Sequence, residues 1–314
     1  MTAARVSRSV TKAILAVETP EGVGAVVRRS IGSPQLRNFT PFLMLDNFKV
    51  GPGAGFSDHP HRGQTTLTYM LEGEFDHEDF KGHKGRIGPG DLQFMIAGSG
   101  IMHAEMPVHG DGRPDPFGLQ LWIDLPKQHK LVEASYQERK AAEVASAHPS
   151  EHLTVKVICG EADGNEQEGV VKGNVRPLGG CWFLDYVFTK KGEKAFQRIP
   201  KGWNAFIYTL NGSTLVGPSS SPAQRTTVEQ YHTAVLSNQD GETGVELEAL
   251  SDDSRFVVVA GEPLEQEIVQ HGPFVMDSVQ GIRQAFMDYQ LERNGFEGAH
   301  SWKSEIGRKM TDNS

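Results

Sequence analysis

Short β-rich runs, each cut off by turn residues, recur along the whole chain, and this rhythm limits its fold more than any other feature. "TTLTYML" runs into "EGE", "DLQFMIA" into "GSG", "GLQLWIDL" into "PKQ", "AFIYTL" into "NGS" and "RFVVVAG" into "EP". With 35 glycines and 17 prolines spread throughout, few stretches can continue as long helices. Short strands at regular spacing predict an all-β sandwich or barrel. One stretch departs from the pattern. "SVQGIRQAFMDYQLERNG" (278–295) carries Val279, Ile282, Phe286 and Tyr289 at helical spacing, with Ser278 as N-cap and Gly295 just past the end. One short helix near the C-terminus is expected.

A chain of 314 residues is long for one domain and comfortable for two. Residues 138–152, "ERKAAEVASAHPSEH", are polar and alanine-rich and contain a proline, which reads as a linker. The expected division is therefore an N-terminal barrel over 1–137 and a C-terminal barrel over 153–314 that ends in the helix. A faint echo links the halves: "TYMLEG" (68–73) and "IYTLNG" (207–212) share Tyr, Leu and Gly. Each reads as a strand running into a turn, so a duplication is expected.

Charge and cysteine content narrow the function classes. Net charge is −9, which argues against a general affinity for nucleic acid, since that needs a basic footprint. The short clusters "VVRRS" (26–30) and "KGHKGR" (81–86) read as solvated faces. Only Cys159 and Cys181 occur, too few for a disulfide-stapled secreted domain, so a reducing cytoplasmic or nuclear setting is expected. No apolar run of eighteen residues is present, and no membrane span is expected. The opening "MTAARVSRSVTKAILAV" has Arg5, Arg8 and Lys12 without an acid, loosely like a mitochondrial presequence, but "VTKAILAV" also reads as a first strand.

Two short segments carry ligand-type chemistry. "SDHPHRGQ" (57–64) holds His59 and His61 around Pro60, and "GIMHAEMP" (100–107) holds His103 and Glu105 around Ala104. Side chains at i and i+2 of a strand share a face. If the two segments lie side by side in a barrel, three imidazoles and one carboxylate converge on one point. That donor set suits a first-row divalent metal such as iron(II), manganese, cobalt, nickel or copper, with open positions left over. A single H-x-H pair is commonly nothing more than two surface histidines; the second pair, with Gly98 and Gly100 ahead of it, strengthens the metal reading. His77, His83 and His109 read as solvated loop residues. Asp76, Glu78 and Asp79 in "FDHEDF" read as a charged hairpin tip, and His232 and His271 have no partner at ligand spacing. Nucleophile elbows, phosphate loops and dinucleotide fingerprints do not occur.

Longer motifs resemble a known family. "FLMLDNF", "DHPHRG", "YMLEGEFDHEDFKGHKGRIGPGDLQFMIAGSGIMHAEMP", "GLQLWIDLP", "IPKGWNAFIYTLNG", "YHTAVL" and "QHGPFVM" are similar to the pirin family of the cupin superfamily, over about residues 10–305. The resemblance implies two cupin (jelly-roll) β-barrels packed face to face, a bicupin, with one metal, usually iron(II), in the N-terminal barrel. By motif position its ligands fall on His59, His61, His103 and Glu105, the set reached from strand periodicity. Many cupins also place a glutamate ligand a few residues after H-x-H. Here Gln64, Thr65 and Thr66 stand there, so Glu105 must supply the oxygen. Aligning Tyr69 with Tyr208 sets His59 against Arg198 and His61 against Pro200, so the C-terminal barrel is expected to be a metal-free structural partner.

Two functions follow from the resemblance. One is a metal-dependent dioxygenase that uses O₂ to open the ring of a quercetin-like flavonol with release of carbon monoxide. Glu105 would then be ligand and proton acceptor, and Phe56 and Met102–Met106 would surround the access path. The other is a non-catalytic, redox-sensing nuclear co-regulator that binds transcription factors through an iron-dependent surface. In either case a monomer without direct nucleic-acid contact is expected.

Overall fold

A computed structural model of the chain describes residues 4–110 and 112–311. Short antiparallel strands dominate, and the described residues form two compact units. The units are not the contiguous halves expected from the linker. One comprises the chain up to Ala16 with Ala142–Pro263; the other comprises Val17–Ala141 with the chain from Leu264 onward.

Pairing explains the first departure. Strand Val10–Leu15 lies antiparallel to His232–Leu236, with Val10 opposite Leu236 and Leu15 opposite His232. Arg8 is buried and donates to the carbonyls of Trp203 (2.7 Å) and Pro200 (3.3 Å). The described part of the basic N-terminal stretch therefore joins the barrel formed mainly by the second half, with Val10–Leu15 as its strand; the first three residues lie outside the described residues. The expected linker is also structured. Ser135–Arg139 and Ala145–Ser150 are strands, with a 3-10 turn over Ala141–Glu143 between them. Buried Val144 and Ala147 hold the second of these strands in its barrel.

Each unit has the same plan, a seven-stranded sheet and a four-stranded sheet. In the unit of Val17–Ala141, the large sheet runs Ser135–Arg139, Leu92–Ile96, Gln64–Glu72, Phe117–Asp124, Phe42–Lys49, Ala25–Arg29, Val17–Glu21. Its small sheet runs Phe56–His61, Ile101–Pro107, Phe75–Asp79, Lys84–Ile87. In the other unit the strand holding "IYTLNG", Asn204–Asn211, takes the same third place in its large sheet that Gln64–Glu72 takes here. The repeated topology is that of two cupin barrels, and it accounts for the sequence echo. Apolar side chains from both sheets fill the second unit's core, among them Val155, Leu184, Phe188, Ile207, Leu247 and Phe256. Cys159 and Cys181 are buried there as free thiols. No described helix is long and apolar enough to cross a membrane.

The expected helix is present as Val279–Gln290, and the Ser278 hydroxyl accepts the Gly281 N–H at 3.1 Å as its N-cap. It ends four residues earlier than the glycine signal suggested, because Arg293 and Asn294 fold back onto Asp288 (3.1 and 2.9 Å). A second short helix, Glu305–Thr311, was not expected; the Ser304 hydroxyl accepts the Gly307 N–H at its start. The first helix packs through Ile282 and Ala285 onto Phe274, Met276 and Met102.

One buried cation ties this C-terminal segment to the strand that carries His59 and His61. Arg62, 1% exposed, donates to the Ser99 carbonyl (2.6 Å), the Asn294 carbonyl (2.6 Å) and the Asp288 carboxylate (2.8 Å). It also lies over the ring of Phe296 at 4.7 Å. Burial alone would raise the Asp288 pKa. Hydrogen bonds from Arg62, Asn294, Gln284 and Arg293 outweigh it and hold that carboxyl below its usual range.

Breaking a buried pair from one side costs about 3–5 kcal/mol, so Asp288→Asn should unfold in urea well below wild type at pH 7. A depressed carboxyl contributes stability above its unfolded value of about 3.9 and loses it as pH falls through the folded value. The gap between the two proteins should therefore close as the titration is carried from pH 7 toward pH 2. A gap that stays constant, or none at pH 7, would contradict this.

Candidate metal centre

The two motif segments are neighbours. Strand Phe56–His61 pairs antiparallel with Ile101–Pro107, with His61 opposite Ile101, Pro60 opposite Met102 and His59 opposite His103. Opposed residues of such a pair share a face, and His61 joins them from two positions along. His61 stands edge to face with both other rings, at centroid distances of 4.8 Å (His59) and 5.0 Å (His103), and His59 and His103 are tilted to each other at 4.4 Å. One ring nitrogen from each lies within 4.8 Å of the others. Pro60 and Met102 point the other way, and Met102 enters the apolar cluster under the C-terminal helix. The turn feeding the second strand needs Gly98: its φ is +49°, and a Cβ there would sit 2.1 Å from the Val132 carbonyl oxygen.

The surroundings keep two of the imidazoles neutral and orient the rings. Burial, then the neighbouring His59, pushes His61 well below the ordinary histidine range; His103 is pushed down by burial and by His59, His61 and His77. A neutral imidazole keeps one lone pair for a metal. Nδ1 of His59 lies 2.7 Å from the Ser57 carbonyl oxygen, so it donates and leaves Nε2 free. Nδ1 of His61 lies 2.8 Å from the Gln64 side-chain amide. Neither nitrogen of buried His103 has a hydrogen-bond partner. A bare imidazole in the interior is costly, and a bound cation removes that cost. These residues fit a first-row divalent ion.

Glu105 stands differently. A register shift follows His103, so Glu105 lies opposite Phe56 on the neighbouring strand. Its buried carboxylate accepts from the Thr68 hydroxyl (2.9 Å) and the Gln120 amide (3.1 Å). It is not among the atoms within 4.8 Å of one another that the three histidines form. It lines the same cavity as His59 and His61 and sits one position beyond the bulge from the imidazole cluster.

That cavity has a volume of about 910 Å³. Phe56, Phe48, Leu43 and Trp122 give it apolar walls, and Gln270 to Pro273 of the C-terminal segment complete it. Trp122 stands edge-on to His61 at 5.0 Å. Arg29 is fixed at its side by a two-pronged bond to Asp46 (2.8 and 2.6 Å) and by Glu21 (2.6 Å). Of the access residues expected from the sequence, Phe56 lines the cavity, whereas Met102 packs elsewhere.

Several polar residues here were not foreseen. Gln64, Thr68, Gln120 and Trp122 sit on Gln64–Glu72 and Phe117–Asp124, strands that pair with Thr68 opposite Gln120 and Thr66 opposite Trp122. Their signal was available: polar side chains at alternate positions of a strand that is buried throughout. Two expectations are corrected. Phe75–Asp79 is a strand rather than a hairpin tip, and buried Asp79 caps the following turn by accepting from Lys81 and His83 N–H (2.8 and 2.9 Å). His77 is buried, not a solvated loop residue, and forms a second group with His83 and Glu138.

Sequence and structure comparisons place the chain among known proteins. A sequence model of pirin matches residues 24–123, and one of the pirin C-terminal cupin domain matches 186–295. The chain is 47% identical to pirin of Mus musculus over 303 residues, covering 96% of this chain and 99% of the mouse protein. It is 44% identical to a pirin-like protein of Solanum lycopersicum, covering 95% and 97%. Among solved structures, a quercetin 2,3-dioxygenase from Acinetobacter baumannii superposes with a TM-score of 0.80 at 28% identity, covering 93% of this chain and 99% of that one. Bacterial pirin YhhW from Escherichia coli, in complex with nickel(II), shares the fold at a TM-score of 0.62 and 18% identity, covering 81% and 99%.

Chelation should leave the far-UV circular dichroism unchanged, because each barrel has its own apolar core and does not depend on one ion. Returning iron(II) should raise the melting temperature, since an ion at 100 times its Kd adds about 2.7 kcal/mol. The rise should shrink in His103→Ala. Collapse of the spectrum on chelation, or an equal rise in the variant, would count against the centre.

Proposed function

The chain belongs to the pirin family, and from that premise we propose that it is an iron(II)-dependent dioxygenase that opens the ring of a quercetin-like flavonol. The observation that carries this reading is the juxtaposition of three clustered imidazoles and a buried carboxylate with an aromatic-walled cavity of about 910 Å³. That volume falls in the range of pockets that enclose drug-sized ligands, about 300–1,000 Å³. The likeness to a quercetin 2,3-dioxygenase supports the substrate class.

His59, His61 and His103 would hold the ion, with Glu105 as the oxygen ligand. Once bound, the ion supplies Lewis acidity toward a flavonol's 3-hydroxyl and redox contact with O₂. The chain's own residues do the rest. Phe56 and Trp122 offer flat apolar faces for a planar ring system. Glu105 lines the cavity beside the histidines and is the group placed to accept the 3-hydroxyl proton. Gln120 and Thr68 keep its carboxylate from swinging away between turnovers. The apolar side chains of Phe48, Phe56, Leu43 and Trp122 would shield part of the reacting ring from bulk water.

Glu105→Gln keeps side-chain length but removes the charge and turns one acceptor into a donor facing Thr68 or Gln120. Iron affinity should fall by at least the about 10–100-fold that loss of an outer contact costs, and quercetin turnover should fall further than occupancy even at saturating iron. Glu72→Gln, on an exposed strand end, should match wild type in both. Equal affinity and equal turnover in Glu105→Gln would remove Glu105 from the site.

A further inference from the structure

A second set of ligand-type side chains lies outside the centre just described. His77 comes from strand Phe75–Asp79, His83 from the turn before Lys84–Ile87, and Glu138 from strand Ser135–Arg139. Their donor atoms lie within 4.8 Å of one another. Glu138 Oε1 is 2.7 Å from His77 Nε2 and 3.0 Å from His83 Nε2.

The geometry at His77 is not that of a hydrogen bond. The ring is 3% exposed, and despite the short contact neither Nδ1 nor Nε2 has a hydrogen-bond partner. Two donor atoms held about 3 Å apart, with no proton aimed from one to the other, are what adjacent ligands of one ion show at bond lengths near 2.1 Å. Otherwise both nitrogens of a buried imidazole stay bare, which costs roughly 1–3 kcal/mol per group.

The surroundings are built to keep the three groups in place. Gly85 stands opposite His77 in the strand pairing. A Cβ there would lie 2.9 Å from His77 Nε2 and 3.6 Å from Glu138 Oε2, so any larger residue would fill the space between the ligands. Tyr136 stacks flat on His83 at 4.2 Å and fixes that ring. The Gln93 amide donates to Glu138 Oε1 (2.8 Å) and orients the carboxylate. The carboxylate is thereby held against both imidazoles.

We propose that His77, His83 and Glu138 form a second divalent transition-metal site, of two-histidine, one-glutamate type, that leaves a position for water or an exogenous ligand. Zinc(II) suits it, as do cobalt(II) and nickel(II). The side chains of His83 and Glu138 are 36% and 30% exposed, so the ion enters from solvent, unlike one bound at His103. The site is independent of the dioxygenase reading, and it adds a cation to the single one expected from the sequence.

The test is a zinc(II) titration of the chelator-treated full chain against a chromophoric competitor, with native mass spectrometry to count ions. Wild type should bind two per chain. His83→Gln and Glu138→Gln should each bind one at wild-type affinity, and bind the second at least about 10–100-fold more weakly. His103→Ala should lose the other ion and keep this one. A wild-type stoichiometry of one, or a second ion unaffected by His83→Gln, would overturn the proposal. Circular dichroism verifies the fold of each variant; should both fail to fold, the wild-type ion count alone decides.

Discussion

Everything at the centre depends on one strand pairing, that of Phe56–His61 with Ile101–Pro107, which sets His59 directly across from His103. A slip of one residue between the two strands would put His103 on the opposite face from His59 and His61, because side chains alternate along a strand. The structure guards that register from several sides. Arg62 locks the end of the first strand through Ser99, Asp288 and Asn294. Lys130, equally buried, donates to the Gly63 carbonyl (2.8 Å) and the Val275 carbonyl (3.0 Å) and pairs with Asp124. Two buried cations would be a liability in an apolar core. Here each is surrounded by carbonyls and one carboxylate, so the charge is satisfied and the backbone next to the ligands is fixed.

The barrel interior near the site is correspondingly polar. Thr68, Gln120 and Glu105 form one connected group, and Gln93, Glu138 and His83 another. Such networks cost stability unless every member is partnered. Among the buried side-chain atoms without a hydrogen-bond partner, His77 and His103 are the residues that leave both ring nitrogens bare, and each belongs to one of the two histidine clusters.

Much of this was legible in the sequence. Turn residues between short β-rich runs point to the all-β class, and i, i+2 spacing pairs His59 with His61 and His103 with Glu105; the adjacency of the two strands, which joins the three imidazoles, is what the fold adds. The misreadings share a cause: local patterns do not report long-range pairing. Val10–Leu15 looks like the first strand of the barrel nearest in sequence, yet its partner is His232–Leu236. Residues 138–152 are polar yet not a free linker: they take part in strands Ser135–Arg139 and Ala145–Ser150, and Glu138 bonds His83 and Gln93. His77 sits among acids and was taken for a loop; its burial comes from strands contributed by Ile101–Pro107 and Lys84–Ile87. The sequence pattern puts Glu105 on the imidazoles' face as a fourth ligand; the register shift after His103, which sets it one place aside from them, has no sequence signature.

The central claim is that three imidazoles from two paired strands bind one ion. X-ray absorption at the iron edge of the full chain loaded anaerobically with a single equivalent of iron(II) tests it most directly, because outer-shell scattering counts imidazole ligands. The account predicts three imidazoles together with oxygen ligands. Two imidazoles would place the ion at His77 and His83 instead, and one or none would remove the histidine centre altogether; either result would contradict the account.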